Sequence, residues 1–408
     1  MPPTELTPTR PPDPDRRVIA LDGLRGLMTI FVVISHYFGE VPSGLSVFMV
    51  GWVAVDMFFV LSGYLVGKLI LDKRHAANFL TVFYVRRACR TLPIYGLCVL
   101  AIVGLVGAID RPWARAETNF PLWSYLTFSQ NVFMAAENAA GHAWLSPTWT
   151  MGLEEHFYLA LPLLFLFVPR RRLAATLCAI MLAAVFLRAG ILLLAPDWWM
   201  TTLVFLPTRA DVLVCGVLGA LLLASPRAAG PRLDLSLRLA APLLLVATCL
   251  LKLLDGEPGI VFRALGPLAV SLGCTAFVLT LVRGAPEAIR FRAPSLRFFG
   301  TTSYAVYLTH MPVLGLMHGL VLGTKPDIGT PAQWGVTVAA LPVCVAVGWL
   351  LTRLVEAPVS AYGRTWRWQD RQSQDREWQD PQWQDREWAS ASAAPRRAFE
   401  PAPEPARG

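Results

Sequence analysis

What most limits this chain is a succession of apolar runs, each about 20 residues long, near 18–38, 47–70, 91–109, 147–168, 173–195, 206–224, 236–254, 260–282, 298–323 and 334–355. A helix of that length covers the hydrocarbon core of a bilayer, about 30 Å. A backbone in lipid must satisfy its own hydrogen bonds, and a helix does so within one segment. The chain therefore reads as all-α, a polytopic membrane bundle of about ten transmembrane helices. Its composition agrees, with 55% hydrophobic and only 16% charged residues, where soluble domains carry about a quarter charged.

The formal charge of +8 does not point to nucleic acid, because the basic residues sit in short clusters between apolar runs and serve orientation. With the N-terminus in the cytoplasm, Lys73, Arg74, Arg86, Arg87 and Arg90 fall inside, as do Arg170, Arg171 and Arg172, then Arg227 and Arg232, then Arg283, Arg290, Arg292 and Arg297. The opposite loops carry only Arg111 and Arg115 in 110–146, no basic residue in 255–259, and Lys325 in 324–332. This alternation predicts a multi-pass protein of the plasma membrane with both termini cytoplasmic.

Residues 1–16 are proline-rich and polar, resemble no signal peptide, and are expected to be disordered. Residues 17–358 form the membrane domain. The aromatic, amphipathic stretch within 110–146 is too short and polar to span; it lies at the interface or dips back into the protein, and is expected to roof the outer side. In 359–408, Gln369, Gln374, Gln379 and Gln384 mark a five-residue repeat, which reads as a low-complexity cytoplasmic tail that buries no core. Six of the cysteines, Cys98, Cys178, Cys215, Cys249, Cys274 and Cys344, fall in apolar runs, and Cys89 falls in a basic loop. Neither a disulfide framework nor a metal site is expected from them.

Ionisable residues inside spans are costly and mark function. In 21–36, Arg25 and His36 lie eleven positions apart, so on an α-helix they point within about 20° of each other, about 16 Å apart along the axis. Asp22, three residues before Arg25, offers it an ion-pair partner. Asp56 lies within the second run beside the small pair Ser62-Gly63, which permits close helix contact; it is either an arginine's structural partner or a direct participant. Arg87 and Arg90 neighbour each other on one helical face, where guanidinium forks suit phosphate or anionic headgroups. Glu154 and Glu155 point about 100° apart, so only one faces His36, and a carboxylate on one ring nitrogen would make the other a hydroxyl-activating base. His156 and His310 read as supporting groups, and none of these histidines has metal-ligand spacing.

Six motifs in order carry a resemblance: DGLRG at 22–26 with His36, VDMFFVLSGYL at 55–65, RRACRTLP at 86–93, WTMGLEEHFYL at 149–159, SYAVYLTHMPV at 303–313 and EAP at 356–358. Together they resemble acyltransferase family 3, the integral-membrane O-acyltransferases, over about residues 17 to 358. The resemblance implies transfer of an acyl group, commonly acetyl, from acyl-CoA to a hydroxyl of a carbohydrate, cell-envelope polymer or secondary metabolite. No permanently bound cofactor is implied; acyl-CoA is a donor substrate. It also implies that His36 is the catalytic histidine with Arg25 its motif partner, that Arg87 and Arg90 form the CoA-side pair, and that Glu154 is the family glutamate. The chain departs from the pattern at Met151-Gly152, His156 and Tyr64, where Leu-Ser, Gln and Phe are usual. Some members carry a C-terminal esterase-like domain; with the repeat tail in that place, transfer is expected to be completed by the membrane part. A transporter using the same groups as a relay is the rival reading, but the ionisable motifs crowd the first four spans and are not duplicated in a second half.

Overall fold

The computed structural model describes residues 18–369 except 50, 117, 226, 227, 229 and 256–258. The N-terminal segment, the repeat tail beyond 369, Arg227 and the centre of the 255–259 loop lie outside the described residues. Among the described residues there is no strand, and nine helices are long and apolar enough to cross a membrane. They belong to α1 (Ile19–Ile34, prolonged by a π turn over Ser35–Gly39), α2 (Gly51–Lys73), α3 (Phe79–Ala108) and, after the short α4 (Leu122–Leu126), α5 (Gln130–Glu137) and α6 (Trp149–Phe167), to α7 (Arg170–Leu194). After the short α8 (Trp199–Val204) come α9 (Leu206–Leu223), α10 (Pro231–Asp255), α11 (Ile260–Val282), α12 (Pro294–Leu322) and α13 (Pro331–Leu351), which a π turn at Thr352–Glu356 joins to α14 (Ala357–Thr365). The tenth expected span is α6: its 19 residues suffice in length, but Glu154, Glu155 and His156 lower its apolarity. It is held by polar contacts more than by lipid.

Small residues set the tightest packing. A Cβ on Gly23 or Gly26 of α1 would strike the backbone of Phe291 or Leu296, and one on Gly300 of α12 would strike the carbonyl of Asp22. Backbones that meet without side chains between them gain dispersion and hold one register. The Ser62-Gly63 expectation is met by α9: Gly63 lies against the Leu213 carbonyl and Gly216 against that of Val60. Buried ion pairs reinforce this half, since Arg209 of α9 pairs with Asp56 of α2, and Arg188 of α7 pairs with Asp211 of α9 at 2.8 Å.

The structure refines three expectations. The third helix begins at Phe79, not near 91, because no Gly or Pro interrupts 79–92 and Pro93 is tolerated inside; Cys89 is therefore helical. The 110–146 segment takes the inward one of its two expected placements. Its Gln130 and Asn131 are fully buried and donate to the carbonyls of Thr148 (2.9 Å), Trp149 (2.8 Å) and Val204 (2.7 Å), so it dips inward, while Trp113 and Trp144 close over Gly319 and Gly315 of α12. The tail's first residues are ordered: α14 packs on α3, Arg86 donates to the Trp366 carbonyl at 2.7 Å, and Trp368 stacks on Phe79 at 6.0 Å.

Two outcomes follow from this packing. Gly300→Ala drives a methyl into the α1 backbone and costs about 1–3 kcal/mol, read as a lower Tm and a smaller monodisperse fraction in detergent. A chain ending at Gln369 keeps wild-type Tm and activity, whereas one ending at Arg364 loses the Trp366 and Trp368 contacts and melts earlier; equal melting of the two would show that this docking adds nothing.

Candidate active site

Three cavities lie in line through the bundle. The first, about 620 Å³, is lined by Asp22, Arg25, Arg86, Arg87, Arg90 and Glu356 among others. A middle cavity of about 330 Å³ shares Arg25, Arg87 and Arg90 with it and adds Glu154, Glu155 and Tyr304. A third, about 570 Å³, is lined by His36, Glu40, Trp52, Asp56 and Arg209 among others, and shares only Val55 and Tyr307 with the middle one. The polar stripe of the first helix is thus divided: Arg25 faces one compartment and His36 another. At His36 the helix widens into the π turn of Ser35–Gly39, a feature frequent at functional sites.

His36 is held by groups on both sides. Its Nδ1 lies 2.9 Å from Nε2 of His310, and its Nε2 lies 3.5 Å from Glu40 Oε2. Glu40 in turn accepts from the Ser35 hydroxyl at 3.0 Å. His310 is fully buried on α12; its Nδ1 lies 2.6 Å from the Tyr307 carbonyl, and its own carbonyl accepts from Tyr37 at 2.9 Å. The expectation that one of Glu154 and Glu155 faces His36 is not met, since both line the middle cavity. Glu154 lines the middle cavity, with the Ser62 hydroxyl 2.6 Å and the Tyr158 hydroxyl 3.0 Å from its carboxylate. The reason is geometric: α6 packs beside α2 and presents Glu154 toward Ser62, while α1 delivers His36 beyond the Val55–Tyr307 constriction.

The other candidates divide between the donor-like end and the scaffold. Arg87 stacks its guanidinium on Tyr158 at 4.3 Å, and together with Arg90 and Arg25 it converges on the middle cavity opposite Glu154 and Glu155. Asp22 is buried and lines the basic cavity with Arg25. Asp56 takes the structural option left open by the sequence, as partner of Arg209. His156 lines none of the three cavities. Sequence reading missed Glu40, Tyr307 and the Arg188–Asp211 pair. Glu40 was findable, since a carboxylate four residues after a histidine is a helical neighbour; Tyr307 was not, because nothing local shows that it parts two cavities.

A family model described as an acyltransferase domain matches residues 18–353. The chain belongs to acyltransferase family 3. Among acyltransferases it is similar to a Bacillus subtilis protein provisionally named a peptidoglycan O-acetyltransferase, 28% identical over 373 residues, which cover 85% of this chain and 56% of the relative. It is also similar to an acyltransferase of Streptomyces mycarofaciens, 27% identical over 378 residues, with 84% of this chain and 91% of the relative covered. A peptidoglycan O-acetyltransferase of Listeria monocytogenes is 24% identical over 371 residues, covering 85% of this chain and 56% of that one. The chain thus spans little more than half the length of the Bacillus and Listeria acyltransferases. Within the family match lie all the residues singled out above except Glu356 and the docked strap that follows it.

Proposed function

We propose that this protein is a membrane O-acyltransferase that takes an acyl group, acetyl in the simplest case, from acyl-CoA and esterifies a hydroxyl of a carbohydrate, cell-envelope polymer or secondary metabolite. The observation that carries the reading is the line of cavities, with three arginines at one end and a histidine held by two partners at the other, meeting only at Val55 and Tyr307. Arg87 and Arg90 hold the CoA phosphates by charge-assisted hydrogen bonds. The pantetheine arm then passes Arg25 into the middle cavity, where Glu154, fixed by Ser62 and Tyr158, balances the arginines beside it.

At the far end the acceptor hydroxyl enters the His36 cavity. His36 takes its proton, the acceptor oxygen bonds to the acyl carbon, and the carbon–sulfur bond breaks. The leaving thiolate recovers the proton from His36, so the products are an ester and free CoA. Glu40, at 3.5 Å, stabilises the imidazolium that exists between the two transfers. With the basic loops in the cytoplasm, the donor enters from the cytoplasmic face of the plasma membrane and the acceptor from the outer face. A relay for transport uses some of the same groups, but it gives no reason for the arginine cluster to converge on a cavity at one end.

His36→Ala abolishes acyl transfer while leaving expression and membrane insertion intact; wild-type turnover by the inserted variant would remove His36 from the role of base. Replacing Arg87 and Arg90 together by Gln raises the KM for acyl-CoA by an order of magnitude or more, about 1.4 kcal/mol per tenfold, with little change in that for the acceptor. In oriented vesicles given acyl-CoA on the cytoplasmic face, the same assay finds a membrane-impermeant acceptor modified only when it is outside. Modification confined to cytoplasmic acceptors would reverse the sidedness.

A further inference from the structure

The two imidazoles that meet between α1 and α12 settle where the protons sit. His310 Nδ1 lies 2.6 Å from the Tyr307 carbonyl, and a carbonyl can only accept, so Nδ1 carries the hydrogen. His310 is fully buried, and the partners given for its ring among the described residues are that carbonyl, the Val306 backbone and the other imidazole. With no carboxylate beside it to balance a charge, the ring is neutral. Its Nε2 is then a bare lone pair. That lone pair lies 2.9 Å from His36 Nδ1, a contact that is a hydrogen bond only if His36 supplies the proton; the Val32 backbone is a further partner of the His36 ring. His36 is thereby protonated on Nδ1, and its Nε2 is the free base that faces Glu40 and the cavity.

We propose that His310 is a positioning residue that fixes the tautomer and ring plane of His36 through a neutral chain, Tyr307 carbonyl to His310 to His36, and so keeps the His36 Nε2 lone pair on the acceptor side. This rests on the reading of His36 as the base. The chain does the work that a carboxylate does in an aspartate–histidine pair, without placing a second anion next to Glu40. Its rigidity comes from the fold. The Tyr37 hydroxyl holds the His310 carbonyl at 2.9 Å, the Tyr307 hydroxyl lies 3.1 Å from the Pro147 carbonyl and 3.0 Å from the Thr150 hydroxyl, and glycine-mediated contact keeps α1 against α12. Because Tyr307 also lines the constriction between the middle cavity and the His36 cavity, the anchor of the chain and the junction of the two compartments are one residue.

Two substitutions and one spectrum test this. The amide of His310→Gln reaches the former Nε2 position and can accept the His36 Nδ1 proton, whereas His310→Phe keeps bulk and burial but offers no acceptor. The phenylalanine variant loses about 10²-fold or more in kcat with both KM values near wild type, and the glutamine variant recovers most of that loss. A packing role predicts the reverse order, because phenylalanine fills a buried site better than an amide. If both variants match wild type while His36→Ala is inactive, the positioning role falls and the base reading stands; if His36→Ala is active, the base reading falls first. Should either variant fail to fold, the wild-type protein decides alone. With ¹⁵N-labelled histidine in nanodiscs at pH 7.5, His36 shows a protonated Nδ1 and a bare Nε2, and a protonated Nε2 or a doubly protonated ring overturns the proposal.

Discussion

The site depends on how closely α1 and α12 approach. Gly23 and Gly26 on one helix and Gly300 on the other leave no side chain between the backbones, and in a bilayer, where no hydrophobic force drives helices together, such contact is a main source of association. The consequence appears at the far end of the same helix pair. Once the backbones are fixed near Gly26 and Gly300, His36 and His310 are carried to ring centroids 4.9 Å apart, although 274 positions separate them in the chain. The π turn at Ser35–Gly39 then makes the local adjustment that turns His36 toward its partner.

A second framework holds the opposite wall of the His36 cavity. Arg188 uses every guanidinium N–H it has: Nε and Nη2 donate to the Ala264 carbonyl at 2.9 and 2.8 Å, Nη1 to the Thr208 carbonyl, and Nη1 and Nη2 to Asp211 at 3.0 and 2.8 Å. Full satisfaction is what makes a buried arginine tolerable at membrane depth. One side chain therefore ties α7, α9 and α11 together. With Asp56 and Arg209 pinning α2 to α9, these pairs give the cavity fixed walls.

The division of labour along the cavities follows from the same packing. Arginines collect where the starts of α1, α3 and α12 meet the end of α2 and the start of α14. Glu154 sits one compartment further in, on α6, with Ser62 and Tyr158 on its carboxylate. Cations thus line the first two cavities, while Val55 and Tyr307 line both the middle cavity and that of the histidine.

By itself the sequence determined everything that depends on local periodicity and transfer energy. Runs of about 20 apolar residues had to be helices, the basic clusters had to alternate in loops and helix ends, and ionisable groups such as Arg25, His36, Asp56 and Glu154 had to be buried in protein and not exposed to lipid. The family was legible for the same reason, because its motifs are short and local. Only the tertiary structure decided which of these groups meet. Helical phase put His36 with Arg25 and left either Glu154 or Glu155 as its carboxylate; the fold gave it Glu40 and His310, because helix neighbours hundreds of residues apart are chosen by glycine contacts and buried ion pairs that no local pattern encodes.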